Sequence, residues 1–405
     1  MNTLIKLRNE AKSILDIVLR NGPLTKNDII HMSKMKLSTL NRVMQPLETE
    51  GLIVESSIGE STGGRKPVLY DVNPKQYYLV GIDISRTYTK MVVTNLKTDV
   101  LYQKQFPMNE SSTPHQVVHL ISGFINDSLQ KLLISKDEII GIGIGTVGPL
   151  DKSKGKMLSP RNFLSAGWND VPIKDMVEDS TKLPVTIDNG ANTAVLAEYI
   201  RGVGKNYNNI VYINCGVGIR TGAISSGMIV RTINNAEDAF GHMVVDADGD
   251  LCGCGNYGCI ECYSSIPSIV KRIVSELKKG RITKLKATPE ELSYIDICKA
   301  ADNGDQLAKE VVIGAGTILG IGLANYINLL NPEVVILSGP LIKHCKLLFD
   351  TCMSVALRKY YLKGENKIQF SRGGFFKDNA IAVGAAVSML EEILSAHFEH
   401  GSENK

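Results

Sequence analysis

The sequence predicts an α/β body preceded by a small winged helix-turn-helix module, and three observations lead there. Residues 1–75 hold three short apolar periodicities of helical spacing, followed by two strand-like runs joined through a glycine-rich tip. From Tyr77 onward the pattern changes to apolar strands ended by Gly or Asp and alternating with helices. Charge divides at the same place: residues 1–75 carry 11 Lys/Arg against 8 Asp/Glu, leaving 34 of each for the rest, so the whole net charge of +3 lies at the N-terminus. A chain of 405 residues with 43% hydrophobic and 21% charged residues has a globular composition and the length of two or three domains.

Over residues 8–20, Ile14, Leu15, Val18 and Leu19 repeat at helical spacing, and Asn21-Gly22-Pro23 stops that helix. Thr25, with Asp28 three residues on, has the form of a capping box opening a short helix through Ser33. After a tight turn a third helix opens at Leu37. Its apolar Leu40, Val43, Met44 and Leu47 face inward, and Ser38, Thr39, Asn41, Arg42 and Gln45 face outward as a donor-rich set suited to phosphates and base edges. Pro46 costs about 3 kcal/mol in a helix interior, so a bend or early stop is expected there. A strand begins at 51–54, and 67–70 returns as a second strand after a polar, glycine-rich excursion. The tip of this wing joins flexible backbone to Arg65 and Lys66, cations suited to a minor groove or to phosphates. The alternative is a small helical cap with a solvated charged face; the order helix, turn, helix, wing favours double-stranded DNA.

In the body, candidate strands are 78–84, 90–94, 139–144, 185–187 and 210–213, and the first two form a strand, loop and strand able to embrace a phosphate. No apolar run approaches the roughly 18 residues that cross a bilayer, and the first ten residues lack a signal peptide's apolar core, so a cytoplasmic protein without a membrane partner is expected. The eight cysteines then read as metal ligands or buried thiols rather than disulfides. Cys252, Cys254 and Cys259 lie in a glycine-rich loop where three thiolates can converge on one cation, and His242 is close enough upstream to be the fourth ligand of a tetrahedral structural zinc site. Cys262 is a spare thiol that can compete for a place. Cys215, Cys298, Cys345 and Cys352 are scattered and read as buried thiols, and burial without metal is the alternative for the cluster as well.

Gly241-His242 with Cys252-Gly-Cys254-Gly-Asn-Tyr-Gly-Cys259-Ile-Glu261, Gly141-Ile-Gly-Ile-Gly145, Ala191-Asn192 leading to Leu196-Ala197-Glu198, and Ile327-Asn328-Leu-Leu-Asn331-Pro332-Glu333 resemble the ROK family of repressors and sugar kinases over nearly the whole chain. The resemblance implies a two-lobed, ribonuclease H-like body of the actin and hexokinase type. Its domains would be 1–75 for the winged module, 76–200 for the first lobe, and 201–405 for the second lobe, which holds the zinc loop and C-terminal helices returning toward the first lobe. The N-terminal segment, with Gly63-Gly64-Arg65-Lys66-Pro67, resembles the family's repressor branch, to which the xylose repressors belong.

In the family's kinases the carboxylate of an Asn-Asp pair takes the proton from the attacking sugar hydroxyl. Here the pair is Asn189-Gly190, a loss on the order of 10²-fold to 10⁴-fold in rate. Asp188, two residues earlier, is the alternative base. The phosphate loops read Asp83-Ile84-Ser85-Arg86-Thr87 and Gly216-Val217-Gly218-Ile219-Arg220-Thr221-Gly222. There Ser85, Arg86 and Arg220 crowd the backbone approach, although arginines can also pair with phosphate oxygens. The resemblance thus implies no catalytic residue and no enzyme. The positions matching sugar contacts keep Asn162, Asn189, His242 and Glu261, with His242 able to serve zinc and a hydroxyl through its two nitrogens, whereas the family's Glu before Gly-His is Ala239. For Asn162 and Asn189 the alternative is turn capping.

The expectation is a sugar-responsive DNA-binding repressor of carbohydrate-utilisation genes, a homodimer or dimer of dimers. Its inverted-repeat operator would have half-sites a multiple of about 10 to 10.5 base pairs apart. A small sugar, a phosphorylated sugar or an oxidised one would bind in the cleft and change the angle between lobes. Two readings stay open beside it: an ATP-dependent sugar kinase with a regulatory N-terminal domain, against which Gly190 speaks, and a DNA-binding regulator with no sugar ligand, for which Ala239 speaks. The glycine-rich stretch 315–330 is expected to pack into the body rather than at a dimer contact.

Overall fold

The computed structural model describes residues 7–58, 67–231, 237–286, 288, 291–361 and 367–395. The chain forms two compact units, Met1–Gly190 with Ile381–Lys405, and Ala191–Ala380.

The first unit opens with α1 (Asn9–Asn21), β1 (Leu24–Thr25), α2 (Lys26–Ser33), α3 (Leu37–Thr49), β2 (Ile53–Ile58) and β3 (Val68–Val72). Thr25 closes its capping box as expected: its hydroxyl accepts from the Asp28 N–H at 3.2 Å and its own N–H donates to Asp28 at 2.9 Å. The wing is a three-stranded antiparallel sheet of order β1-β3-β2, because Leu24 and Thr25 pair with Tyr70 and Leu69. Of the bend or early stop expected at Pro46, the stop does not occur, since α3 runs on to Thr49. Pro46 and Arg42 are both exposed, so the Arg42 carbonyl that loses its helical donor is left to water, while buried Leu40, Val43, Met44 and Leu47 hold the other side down.

There follow β4 (Tyr78–Ile84), β5 (Tyr88–Asn95), β6 (Val100–Pro107), α4 (Pro114–Leu132), β7 (Ile139–Thr146), β8 (Leu150–Asp151), β9 (Lys156–Met157), α5 (Ile173–Thr181) and β10 (Val185–Asn189). The sheet order is β10-β7-β4-β5-β6, with β4, β5 and β6 antiparallel and β7 and β10 parallel to β4. One face packs on α4 and α5 through Val80, Ile82, Ile144, Val117, Ile121 and Val177.

The second unit takes in most of α6 (Gly190–Ile200), then β11 (Ile210–Cys215), β12 (Ile219–Ser225), β13 (Met228–Ile229), α7 (Glu261–Ser264), α8 (Ile266–Lys278), α9 (Tyr294–Asp302), α10 (Gln306–Leu330), β14 (Val334–Ser338), α11 (Pro340–His344), α12 (Lys346–Lys359) and β15 (Gln369–Arg372). Its sheet, β13-β12-β11-β14-β15, repeats the plan of the first: an antiparallel meander whose first strand carries two parallel neighbours. Glu198, fully buried in α6, accepts from the N–H groups of Val203, Phe375 and Phe376 at 3.0 Å each and so fastens that helix to the loop after β15. One expectation needs correcting. The helix α10 is long and apolar enough to cross a membrane, although 56% of its most apolar window is buried within the protein, where Leu319, Leu323 and Ile327 enter the unit's core.

The last helix, α13 (Ala380–Ser395), belongs with the first unit from Ile381 on. It lies directly on the sheet backbone: a Cβ on Gly81 would fall 1.8 Å from the Ala382 carbonyl oxygen, and one on Gly143 would fall 1.6 Å from that of Ala385. Only glycine fits at either place. Beyond them Met389, Leu390, Ile393 and Leu394 join one core with Ile14, Leu15, Val18 and Leu47 of the winged module. Lys12, itself buried, donates to the Ile393 carbonyl at 2.7 Å, and Arg20 reaches both oxygens of Glu391 at 2.7 Å. The module is therefore built into the first unit rather than hung from it.

Candidate functional site

Helix α3 leaves Ser38, Asn41, Arg42 and Gln45 exposed and Thr39 half-buried, while Arg65 and Lys66 lie outside the described residues. Lys26 donates to Asn41 Oδ1 at 2.9 Å and sits 5.1 Å over the Tyr70 ring, which leaves the Asn41 amide donors for another partner. Arg42 is 3.7 Å from Glu10 with both side chains more than half exposed, a surface pair weak enough for a phosphate to displace. Sequence reasoning passed over Lys34 and Lys36, which are also exposed. Lys36 precedes α3, whose first turn has no side-chain cap, so open N–H groups and cations stand together at the start of that helix. The signal was present as Lys34-Met35-Lys36, two cations in the turn before the helix.

In the second unit the donor atoms of His242, Cys252, Cys254 and Cys259 all lie within 4.8 Å of one another. His242 Nδ1 is 3.5 Å from Cys252 Sγ, and Cys254 Sγ is 3.8 Å from Cys259 Sγ. A tetrahedron with zinc–sulfur bonds of about 2.3 Å has edges of about 3.8 Å, so the donor set fits such an ion. Because Nδ1 is the nitrogen at the cluster, Nε2 is left for a second partner. Cys262 lies beside Cys252 but outside this four-donor group, and donates to the Asp250 carbonyl at 3.6 Å.

Of the residues matched to sugar contacts, Asn162 and Asn189 belong to the first unit, and His242 and Glu261 to the second. Asn162 is exposed with φ of 65°, a conformation asparagine tolerates in turns. Asn189 is buried at the end of β10, next to Thr146 of β7. Within the second unit, Glu261 and the residue before His242 reach the first residue of β12: Glu261 accepts from the Ile219 N–H at 2.9 Å, and Gly241 packs on the Ile219 carbonyl. Ala239 is exposed beside them in a short helical turn.

Gly190, which the family resemblance matches to the kinases' base, opens α6. A Cβ there would lie 3.3 Å from Ile381 Cγ2 and 3.5 Å from the Thr146 carbonyl oxygen, so Ile381 must shift to admit a side chain. The alternative base, Asp188, is buried, 3.4 Å from Lys152, and accepts from the Asn189 N–H at 2.7 Å. Each of its two oxygens is thus already engaged, Oδ2 by Lys152 and Oδ1 by the Asn189 N–H. In the first phosphate loop Arg86 Nε donates to the Arg161 carbonyl at 2.8 Å.

A family model described as ROK family matches residues 79–392, and one described as winged helix-turn-helix DNA-binding matches residues 11–54. The chain is 29% identical to the xylose repressor of Bacillus spizizenii over 97% of each chain. Among solved structures it is similar to a ROK family transcriptional regulator described as a homologue of the Escherichia coli MLC protein, with a TM-score of 0.77 at 23% identity over 97% of both chains. It is also similar to a ROK family glucokinase from Streptomyces griseus in complex with glucose and AMPPNP, with a TM-score of 0.66 at 25% identity over 77% of this chain and 98% of that one. These likenesses bear out the expected fold, an α/β body of the sugar-kinase type behind a winged helix-turn-helix. With the family model spanning most of its length, the chain belongs to the ROK family.

Proposed function

We propose that this chain is a sugar-responsive DNA-binding repressor of carbohydrate-utilisation genes that has lost kinase activity. The observation that carries the reading is the junction of β10 and α6, where Gly190 replaces the base and Asp188 is held by Lys152, behind a module whose α3 offers Ser38, Thr39, Asn41, Arg42 and Gln45. Residues 1–75, with Arg65 and Lys66 on the wing, read an inverted-repeat operator as a homodimer or dimer of dimers in the cytoplasm. The similar xylose repressor points to xylose or a related sugar as effector, with Asn162, Asn189, His242 and Glu261 as its contacts. Zinc held by His242, Cys252, Cys254 and Cys259 would have a structural role, tying the loop that carries His242 and leading into Glu261.

The test is a thermal-shift screen of the purified protein against sugars and sugar derivatives, followed by gel shifts on its own promoter region with each hit. A sugar that both stabilises the protein and alters DNA binding is the expected result. DNA binding that no sugar changes, or ATP-dependent phosphorylation of a sugar, would overturn the proposal.

A further inference from the structure

The eight thiols of the chain divide by access. Cys254 is exposed and Cys262 half-buried, whereas Cys215, Cys252, Cys259, Cys298, Cys345 and Cys352 are buried. The two that reach the surface both lie at the His/Cys cluster, and each has a buried thiol for a neighbour. Cys254 Sγ is 3.8 Å from Cys259 Sγ, and the Cys262 thiol is within side-chain hydrogen-bonding reach of Cys252. Local backbone sets this pairing. The Cys252 N–H donates to the Asn256 carbonyl and the Gly258 N–H to the Asp250 carbonyl, which folds the loop back on itself. The Cys262 N–H donates to the Cys259 carbonyl in the turn that opens α7, and Cys262 Sγ comes to 3.6 Å from the Asp250 carbonyl, two residues before Cys252. A cavity of about 450 Å³ opens on this sulfur, lined by Asp250, Cys262 and Tyr263 with Lys271 of α8 and Gly314 and Ala315 of α10.

A tetrahedral site formed with His242 uses three of these four thiols and leaves Cys262 over. Three thiols alone would oxidise to one disulfide and an odd sulfur. Four make two pairs, each with one sulfur open to a small oxidant and one buried sulfur to resolve it. From this we infer that Cys262 is a peroxide-oxidisable thiol that closes a reversible disulfide with Cys252, making the cluster a redox-sensitive site as well as a structural one. The inference rests on the metal reading of His242, Cys252, Cys254 and Cys259 proposed above and adds a modification site to it. Hydrogen peroxide transfers one oxygen to the Cys262 sulfur, giving a sulfenic acid and water. The Cys252 thiolate attacks that sulfur, the S–O bond breaks and hydroxide leaves, so the two sulfurs together give up the two electrons that reduce the peroxide. Cys252 is then spent as a metal ligand. A second peroxide converts the thiolates of Cys254 and Cys259 to a disulfide and two hydroxides. In a reducing compartment both bonds are transient, as a sensor requires. Because Cys262 directly follows Glu261, the first bond forms next to the contact between α7 and the Ile219 N–H of β12.

The test treats the full-length protein, reduced and freed of reductant, with hydrogen peroxide, alongside Cys262→Ser. A chelating dye reads released zinc, and mass spectrometry of alkylated digests reads which cysteines are joined. The natural protein is expected to carry zinc when reduced, to release it with peroxide as Cys252–Cys262 and Cys254–Cys259 links form, and to take it back after dithiothreitol and zinc are added. Cys262→Ser is expected to hold zinc when reduced. After peroxide its Cys252 has no partner and passes on to sulfinic and sulfonic acids, so recovered zinc falls by at least about twofold. Absence of a Cys252–Cys262 link in the oxidised natural protein, or equal zinc recovery in Cys262→Ser, overturns the inference and leaves the metal reading standing. Reduced natural protein that holds no zinc yet forms the Cys252–Cys262 link overturns the metal reading and keeps the modification site.

Discussion

The two five-stranded sheets follow one plan, yet the arginines near their first hairpins are used in opposite ways. Between β4 and β5, Arg86 stays half-buried and spends its Nε on a carbonyl of its own unit. Just past the β11–β12 turn, Arg220 is buried and has no hydrogen-bond or ion-pair partner among the described residues. One loop is tied down, while the buried arginine of the other is left without a partner among the described residues. The rest of each unit follows the same division. The first gives its second sheet face to α13 and to a core shared with the winged module; the second brings Gly241 and Glu261 to the start of β12 and gathers His242 with three thiols. One framework, used twice, holds the winged DNA-binding module in one half and a cluster able to hold a metal ion in the other.

The strongest way to break this division is to remove the metal site. Cys259→Ser is expected to take bound zinc from one per chain to none and, with an ordering free energy on the order of 10 kcal/mol linked to such ions, to expose the loop around residues 242–262 to proteolysis. Metal analysis beside limited digestion reads this, and undiminished zinc in the variant would refute the ligand set. Next in size is the shared core of the first unit. Leu390→Ala should cost about 2 to 5 kcal/mol and, measured by hydrogen exchange, should loosen α1 and α3 together with the sheet. Loosening confined to α13 would mean that the winged module stands alone. Arg42→Ala should weaken operator binding about tenfold and flatten its salt dependence by about one phosphate contact, read by titration at several salt concentrations, with unchanged thermal stability because its pair with Glu10 is exposed. The smallest effect is expected from Gly190→Asp. Restoring the carboxylate should leave ATP turnover at background and cost about 1 to 3 kcal/mol, since Ile381 must yield and the first phosphate loop remains tied through Arg86. A coupled ATPase assay with each candidate sugar checks it.

Local features were legible in the sequence. The Thr25 and Asp28 cap involves residues three apart, and the two sides of α3 follow from its period. The His/Cys cluster able to hold a metal was visible because three of its members fall within eight residues. What escaped depends on distant partners or on solvent. Strand β1 is two residues long and exists because β3 pairs with it. The Pro46 expectation treated a lost hydrogen bond as lost to an interior, whereas that side of the helix faces water. Gly81 was read only within a strand and Gly143 only within a family motif, and the α13 backbone that needs their missing side chains lies more than 200 residues away in sequence. The apolar length of α10 was missed because Lys309, Glu310 and the asparagines interrupt the run. Arg220 was read as an obstacle to phosphate; its burial became visible only once the neighbouring strands were in register.

The contact between Lys12 and Ile393 joins residues 381 positions apart. During synthesis the N-terminal helices leave the ribosome first and must wait for almost the whole chain before Met389, Leu390, Ile393 and Leu394 arrive to complete their core. Late closure of this kind is slow, and it also acts as proofreading. A polypeptide released before α13 carries a recognition helix without the packing that steadies it, so incomplete products are expected to be silent on the operator rather than bound to it beyond control. A fragment ending before residue 380 that held operator DNA as tightly as the full chain would contradict this.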